Sequence, residues 1–123
     1  MNINIKTMEN IKIPSFKGCF PYSAEWLDDD TFLISFADRN DKNDRGDGTI
    51  GTVHSLYAEV HLDDNNAVVI GENVYDSNSG DYLCTNYHCV GDTISNEIGM
   101  DENTANEIKE YALAMMKTSV LLK

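Results

Sequence analysis

The clearest pattern in the chain is an alternation of apolar and polar side chains between positions 49 and 62. Apolar residues occupy every second position, namely Leu56, Ala58, Val60 and Leu62. More polar residues lie between them, namely Ser55, Tyr57, Glu59 and His61. A period of two is that of a β-strand, in which successive side chains point to opposite faces of the sheet. The segment therefore predicts a strand with one buried face and one exposed face.

Shorter segments on either side of this strand predict antiparallel partners for it. Residues 22–37 alternate on two arms around an Asp28-Asp29-Asp30 turn, with Tyr22, Ala24 and Trp26 on the first arm and Phe32, Ile34 and Phe36 on the second. A run of Asp and Asn at 63–66 is a turn signal before a β-branched strand at 67–75. Residues 81–90 predict a further strand, and residues 10–21 could add an edge strand interrupted by Pro14 and Pro21.

The end of the chain changes from a strand pattern to a helix pattern. Residues 101–123 contain no Gly or Pro, and either Asp101 or Thr104 can cap a helix there. Its apolar stripe runs through Ile108, Tyr111, Ala112, Met115, Ser119 and Leu122. One long C-terminal helix is therefore expected.

Together these elements predict a fold class. The polar segments 38–48 and 76–80 are expected to be exposed loops. A length of 123 residues suits one domain spanning 1–123. We expect an α+β domain, in which an antiparallel β-sheet of about five strands carries the C-terminal α-helix on one face.

Charge is distributed unevenly along this domain. The net charge is −12, and twelve acidic residues but no Lys or Arg lie between positions 46 and 108. Phosphate binding depends on Lys and Arg, so direct binding of nucleic acid is not expected. Three cysteines, an N-terminus without a signal-peptide core and the lack of a long apolar run predict a soluble cytoplasmic protein with no membrane segment.

The acidic surface suggests a function in binding. Exposed carboxylates can occupy Lys and Arg sites on another protein and speed association with it. We expect a small acidic binding protein that masks a basic, nucleic-acid-handling surface, as a phage or mobile-element inhibitor in the host cytosol would do to a defence protein. The expected partner-binding residues are Glu59, Asp63, Asp64, Glu72, Asp76 and Asp81.

A small-molecule binder is the alternative function. A pocket between segment 82–88 and the start of the helix could sequester a nucleotide-like signalling molecule, at a dimer interface if the chain forms a homo-oligomer. Aromatic rings and amides would stack against and hydrogen-bond to the ligand, and a lysine would approach its phosphates. The expected pocket residues are Tyr82, Asn86, Tyr87, His88 and Lys109.

No pattern in the sequence predicts catalysis, a metal or a cofactor. The loop 38–48 fails the calcium pattern, because Arg45 takes a ligand position and Thr52 stands where a bidentate Glu is needed. Cys84 and Cys89 lack the second cysteine pair that structural zinc sites use. We therefore expect a protein that is not an enzyme.

Overall fold

A computed structural model of the chain describes residues 11–44, 50–92 and 94–122. Strands and the helix follow one another in this part of the chain as β1 (Pro21–Trp26), β2 (Thr31–Phe36), β3 (Arg39–Asp44), β4 (Ile50–His61), β5 (Ala67–Asp76), β6 (Tyr82–Cys89) and α1 (Glu102–Leu122). A short 3₁₀ turn at Leu62–Asp64 connects β4 to β5.

All strand pairs in the sheet are antiparallel, and β4 lies at its centre. The strand order is β1-β2-β4-β5-β6, and β3 also pairs with β4. Strand β2 pairs with the second half of β4, from Tyr57 to His61, whereas β3 pairs with its first half. The predicted α+β class, with one antiparallel sheet and one C-terminal helix, is confirmed.

Strand β3 is the main departure from the predicted elements. Residues 38–48 were expected to form a loop, but Arg39–Asp44 pairs with β4, with Arg39 opposite His54. Polar residues such as these have low strand propensity. The unpaired edge of β4 gives them hydrogen-bond partners in the backbone, and this pairing outweighs propensity. Residues 45–48 lie outside the described part of the chain.

One face of the sheet forms the core under the helix. Alternate residues of the central strands are fully buried there, notably Ile34, Ala58 and Ile70. Helix α1 packs on them through Ala105, Ile108, Ala112 and Met116. The stripe was predicted to continue through Met115, which is only half-buried, and the side chain of Leu122 lies outside the description.

A side-chain N-cap sets the start of helix α1. The carboxylate of Asp101 accepts a hydrogen bond of 2.7 Å from the backbone N–H of Thr104, so Asp101 is the cap. Hydrogen bonds from Thr104 lower the pKa of Asp101, because they stabilise its charged form.

Two expectations near the start of the chain are wrong. Tyr22 was predicted to alternate with Ala24 and Trp26 on one arm of the hairpin, but a register shift between Pro21 and Ser23 turns it to the other face, and it is 72% exposed. Residues 11–20 form no strand. Phe16 and Cys19 instead exchange two backbone hydrogen bonds across a tight turn, with φ of 50° at Lys17 and 81° at Gly18.

A close contact between β4 and β5 fixes the position of one tyrosine. Gly71 lies directly opposite Tyr57, and the ring of Tyr57 occupies the space in which a Cβ atom of residue 71 would stand. A side chain at position 71 would therefore displace this ring. The glycine is required here for close approach and not for a special backbone angle.

We expect Gly71→Ala to lower the free energy of unfolding by about 1–3 kcal/mol, the usual cost of overpacking. The measurement is urea denaturation of the wild type and the variant. In a Tyr57→Ala background the same substitution should cost much less, because the clashing ring is gone. An equal cost in both backgrounds would show that the ring does not determine the choice of glycine.

Candidate functional site: the open face of the sheet

The face of the sheet opposite the helix, which we call the open face, carries most of the tyrosines. Register places alternate residues of β4, β5 and β6 on this face, away from the core. Of six tyrosines, only Tyr111 lies on the helix. The other five are on the open face: Tyr22, Tyr57, Tyr75, Tyr82 and Tyr87.

Hydrogen bonds and ring contacts hold several of these tyrosines in place. The Thr85 hydroxyl donates to Asn73 Oδ1 at 2.6 Å, so Tyr82 must be the donor in its own 2.6 Å bond to that hydroxyl. The rings of Tyr75 and Tyr82 meet edge to face, with centroids 6.0 Å apart. The rings are thus ordered before any partner arrives, although Tyr82 is 59% exposed.

Tyr57 and Tyr87 form a second pair on the same face. Burial first, and then a hydrogen bond to Tyr87, raise the pKa of Tyr57 above its ordinary value. Tyr57 is therefore a neutral hydroxyl at every physiological pH. Tyr87 keeps 45% of its surface exposed, so the pair presents an aromatic edge to solvent.

Beside these rings lies a shallow groove of about 290 Å³. Its lining combines apolar side chains, hydroxyls and one carboxylate: Tyr22, Leu27, Leu33, Ser35, Ser55, Leu56, Tyr57, Glu59 and Asn73. Glu25 and Glu59 stand on either side of Leu33 in the strand register. No Lys or Arg of the described part of the chain lines the groove, and the described lining is both aromatic and negative.

Two turns bring further carboxylates together at one end of the sheet. The β1–β2 turn and the β4–β5 turn meet through a 2.9 Å hydrogen bond from the Leu62 N–H to the Asp30 carbonyl. We call this the aspartate end, and its exposed residues are Asp28, Asp29, Asp30, Asp63 and Asp64. It lies next to the groove, because Leu27, which directly precedes Asp28 in the chain, lines the groove.

The structure divides the predicted acidic surface. Glu59, Asp63 and Asp64 lie at or near the aspartate end. Asp76 and Asp81 lie at the opposite end of β5, about 30 Å away at the rise of a strand. Asp76 is also engaged in its turn, where it accepts backbone N–H groups of Asn78 and Ser79 at 2.7 and 3.1 Å.

Glu72 does not belong to the acidic surface, because it is buried on the helix side of the sheet. Its carboxylate lies 3.4 Å from Arg39 Nη2 and 3.2 Å from His54 Nδ1. Glu72 and His54 Nδ1 are close enough for an ion pair, but their geometry is not that of a hydrogen bond. His54 Nδ1 has no hydrogen-bond partner in the described part of the chain. His54 Nε2 and the Thr52 hydroxyl lie 2.8 Å apart.

The residues predicted for a nucleotide pocket do not come together. Tyr82 and Tyr87 are on the open face, whereas Asn86 and His88 are on the helix side. A cavity does exist between His88 and the start of α1, but Lys109 does not line it. Its volume is about 160 Å³, below the roughly 300 Å³ at which pockets for larger ligands begin.

Sequence reasoning overlooked the open face as a site. Tyr57 was assigned to the polar face of its strand, but the same alternation was not followed into β5 and β6, where it would have gathered Tyr75 and Tyr87. Tyr22 could not be found this way, because a register shift places it there.

Comparison with models of known protein families, with curated proteins and with solved structures found no match to this chain. In the part that the structure describes, no helix is both long and apolar enough to cross a membrane. The described residues also contain no group of three or more His, Cys, Asp or Glu side chains placed to hold a metal ion.

We expect Arg39→Met to lower the free energy of unfolding by about 3 kcal/mol, because it leaves the Glu72 carboxylate buried without its cation. This is the low end for a broken buried pair, since the Arg39 side chain keeps 19% of its surface exposed. Urea denaturation measures the effect.

The double variant Arg39→Met/Glu72→Met should lose less stability than Arg39→Met alone, since no buried charge remains. Lys12→Met is the matched control. It breaks an ion pair with Glu107 in which Lys12 is 75% exposed, and it should cost less than about 1 kcal/mol. Equal effects of Arg39→Met and Lys12→Met would contradict the importance of the buried pair.

Proposed function

We propose that this chain is a binding protein that holds a basic segment of another protein on its open face. The observation that carries the proposal is the groove beside the ordered tyrosines, whose described lining contains Glu59 and no Lys or Arg. Tyrosine is enriched among the residues that contribute most to protein interfaces. It offers a large contact area and loses little side-chain entropy on binding.

The chemistry of the groove favours a cationic side chain of the partner, above all arginine. A guanidinium group can stack on the face of a tyrosine ring and at the same time pair with a carboxylate. Tyr57 lines the groove with Glu59, and the exposed ring of Tyr22 lies beside them. An acidic partner would meet Glu25 and Glu59, and no base compensates for them among the lining residues that the structure describes.

The aspartate end contributes to the rate of binding more than to its affinity. Exposed carboxylates attract a basic partner over a distance of about a Debye length and are screened by salt. The aspartate end adjoins the groove, so this attraction would bring cations to the place where the tyrosines bind them.

The proposal extends to the kind of partner and the setting. A basic surface that normally binds nucleic acid would be masked if it docked on this face, and an inhibitor from a phage or mobile element would act in this way. A cytoplasmic setting is supported by the three free cysteines, Cys19, Cys84 and Cys89. Binding of a nucleotide-like molecule stays a prediction. The residues expected to form its pocket do not lie together, so their arrangement does not favour it.

The test uses hexa-arginine as a probe and nuclear magnetic resonance of the ¹⁵N-labelled protein. We expect saturable shift changes at backbone amides of the open face, for example those of Leu33, Tyr57 and Glu59. Binding should weaken as sodium chloride rises above about 0.15 M. Changes confined to the aspartate end, or none that saturate, would refute the proposal.

Matched variants separate the groove from general charge attraction. Glu59→Gln and Asp81→Asn each remove one negative charge, but only Glu59 lines the groove. Tyr22→Ala and Ile94→Ala each remove an exposed apolar side chain, and only Tyr22 lies on the open face. We expect the groove variants to weaken hexa-arginine binding about fivefold and the controls less than about twofold. Equal effects would contradict a specific site.

A further inference from the structure

A row of three side chains crosses the open face at the groove. Strand register pairs Leu33 of β2 with Glu25 of β1 on one side and with Glu59 of β4 on the other. Neighbouring strands lie about 4.8 Å apart, so the backbones of the two glutamates are about 10 Å apart. Glu25 is exposed, and the Glu59 side chain keeps 25% of its surface exposed. The row therefore presents two carboxylates at a fixed spacing, with an aliphatic side chain between them.

The groove adds apolar and aromatic surface next to this row. Tyr22 is 72% exposed and Leu27 is 52% exposed, and both line the groove together with Tyr57. The ring of Tyr57 is held in place over Gly71. Exposed apolar surface contributes to affinity when a partner covers it. A segment that fits this site must therefore bring apolar groups together with its cations.

The spacing of the two carboxylates discriminates between backbone conformations of a bound segment. Polyproline II has three residues per turn and rises about 3.1 Å per residue, so every third side chain returns to one face after about 9 Å. A β-strand returns to one face after about 7 Å and again after about 13 Å. An α-helix covers about 10 Å only over seven residues, or two turns. Polyproline II therefore matches the row with the shortest segment.

Hydrogen-bond donors in the groove favour the same conformation. Ser35 and Ser55 line the groove, and each hydroxyl can donate one hydrogen bond. Asn73 also lines it, and its Oδ1 accepts a hydrogen bond of 2.6 Å from Thr85, so its amide NH₂ is the end that can donate to a ligand. A polyproline II backbone makes no internal hydrogen bonds, and its carbonyl groups can accept from such donors. The carbonyl groups of an α-helix are bonded within the helix.

We propose that the segment held on the open face is proline-rich, adopts the polyproline II conformation and carries two arginines three residues apart. This inference rests on the proposed function and names the class of segment that the groove takes. One arginine pairs with Glu25 and the other with Glu59, and the prolines between them pack on Leu33 and the exposed ring of Tyr22. Aromatic-lined grooves bind such segments because a preformed backbone loses little entropy on binding.

The experiment compares three capped octapeptides of equal charge by isothermal titration calorimetry. The first, Pro-Pro-Arg-Pro-Pro-Arg-Pro-Pro, has its arginines three residues apart. The second, Pro-Pro-Arg-Pro-Arg-Pro-Pro-Pro, has the same composition with arginines two residues apart, and the third replaces every proline of the first by glycine. His61 Nε2 lies 3.8 Å from Glu59, so the titrations are made at pH 8, where histidine is ordinarily neutral. We expect the first peptide to bind about tenfold more tightly than either control.

The outcomes separate this inference from the proposed function. Equal affinity for the three peptides, or tighter binding of the second, would overturn the polyproline II inference. The proposed function would survive that result, provided that hexa-arginine still gives saturable shifts on the open face. Loss of hexa-arginine binding would remove the proposed function and this inference with it.

Charge-matched variants test whether the row sets the spacing. Glu25→Gln removes one carboxylate of the row, and Asp29→Asn removes an exposed carboxylate of the aspartate end. We expect Glu25→Gln to weaken binding of the first peptide about fivefold and that of the second less than about twofold. Asp29→Asn should change each affinity by less than about twofold. An equal loss for both peptides in Glu25→Gln, or equal effects of the two variants, would overturn the inference.

Discussion

The structure depends on one strand, β4, and on the alternation of its side chains. It pairs with β2, β3 and β5, so most of the sheet is built around its backbone. Because side chains alternate along a strand, a slip of one residue in its register would exchange the buried and exposed faces. Ala58 and Val60 fix that register by being fully buried, with Tyr57 and Glu59 on the other side.

Helix α1 covers only one of the two faces of the sheet. It packs on the apolar residues near Ile70 and Ile34 and runs from the cavity at His88 to Trp26, whose indole N–H donates to Ser119 at 3.1 Å. Further along the same face, polar groups replace the apolar ones. There buried Glu72 lies 3.4 Å from Arg39, so the β3–β4 pairing brings a cation next to a carboxyl group inside the protein.

Sequence reasoning recovered what depends on local periodicity. The alternation in β4 and the unbroken helical pattern after Asp101 were sufficient for the fold class, because each signal is long and uninterrupted. Strand β3 could not be predicted, since its polar residues form a strand only because an edge of β4 is available. Register shifts hid the faces of Tyr22 and Tyr82, because one extra residue reverses the alternation after it.

The site itself was less predictable than the fold for a related reason. A count of charges along the sequence treats Glu72 and Asp63 alike, but only the three-dimensional pairing shows that Arg39 neutralises the first. Likewise, Tyr87 and His88 are neighbours in the chain and lie on opposite faces of the sheet. Sequence proximity therefore predicts a common site poorly in a strand, where neighbouring residues point in opposite directions.

The distances between charges determine which acidic residues can attract a partner to the open face. At physiological ionic strength the field of an exposed charge decays over about 8 Å. Asp76 and Asp81 lie about 30 Å from the aspartate end along β5, so their field there is almost fully screened. The net charge of −12 thus overstates what a partner at the groove would sense. Glu25, Glu59 and the aspartate end act locally, and selectivity for a cation must come from them together with the tyrosine rings.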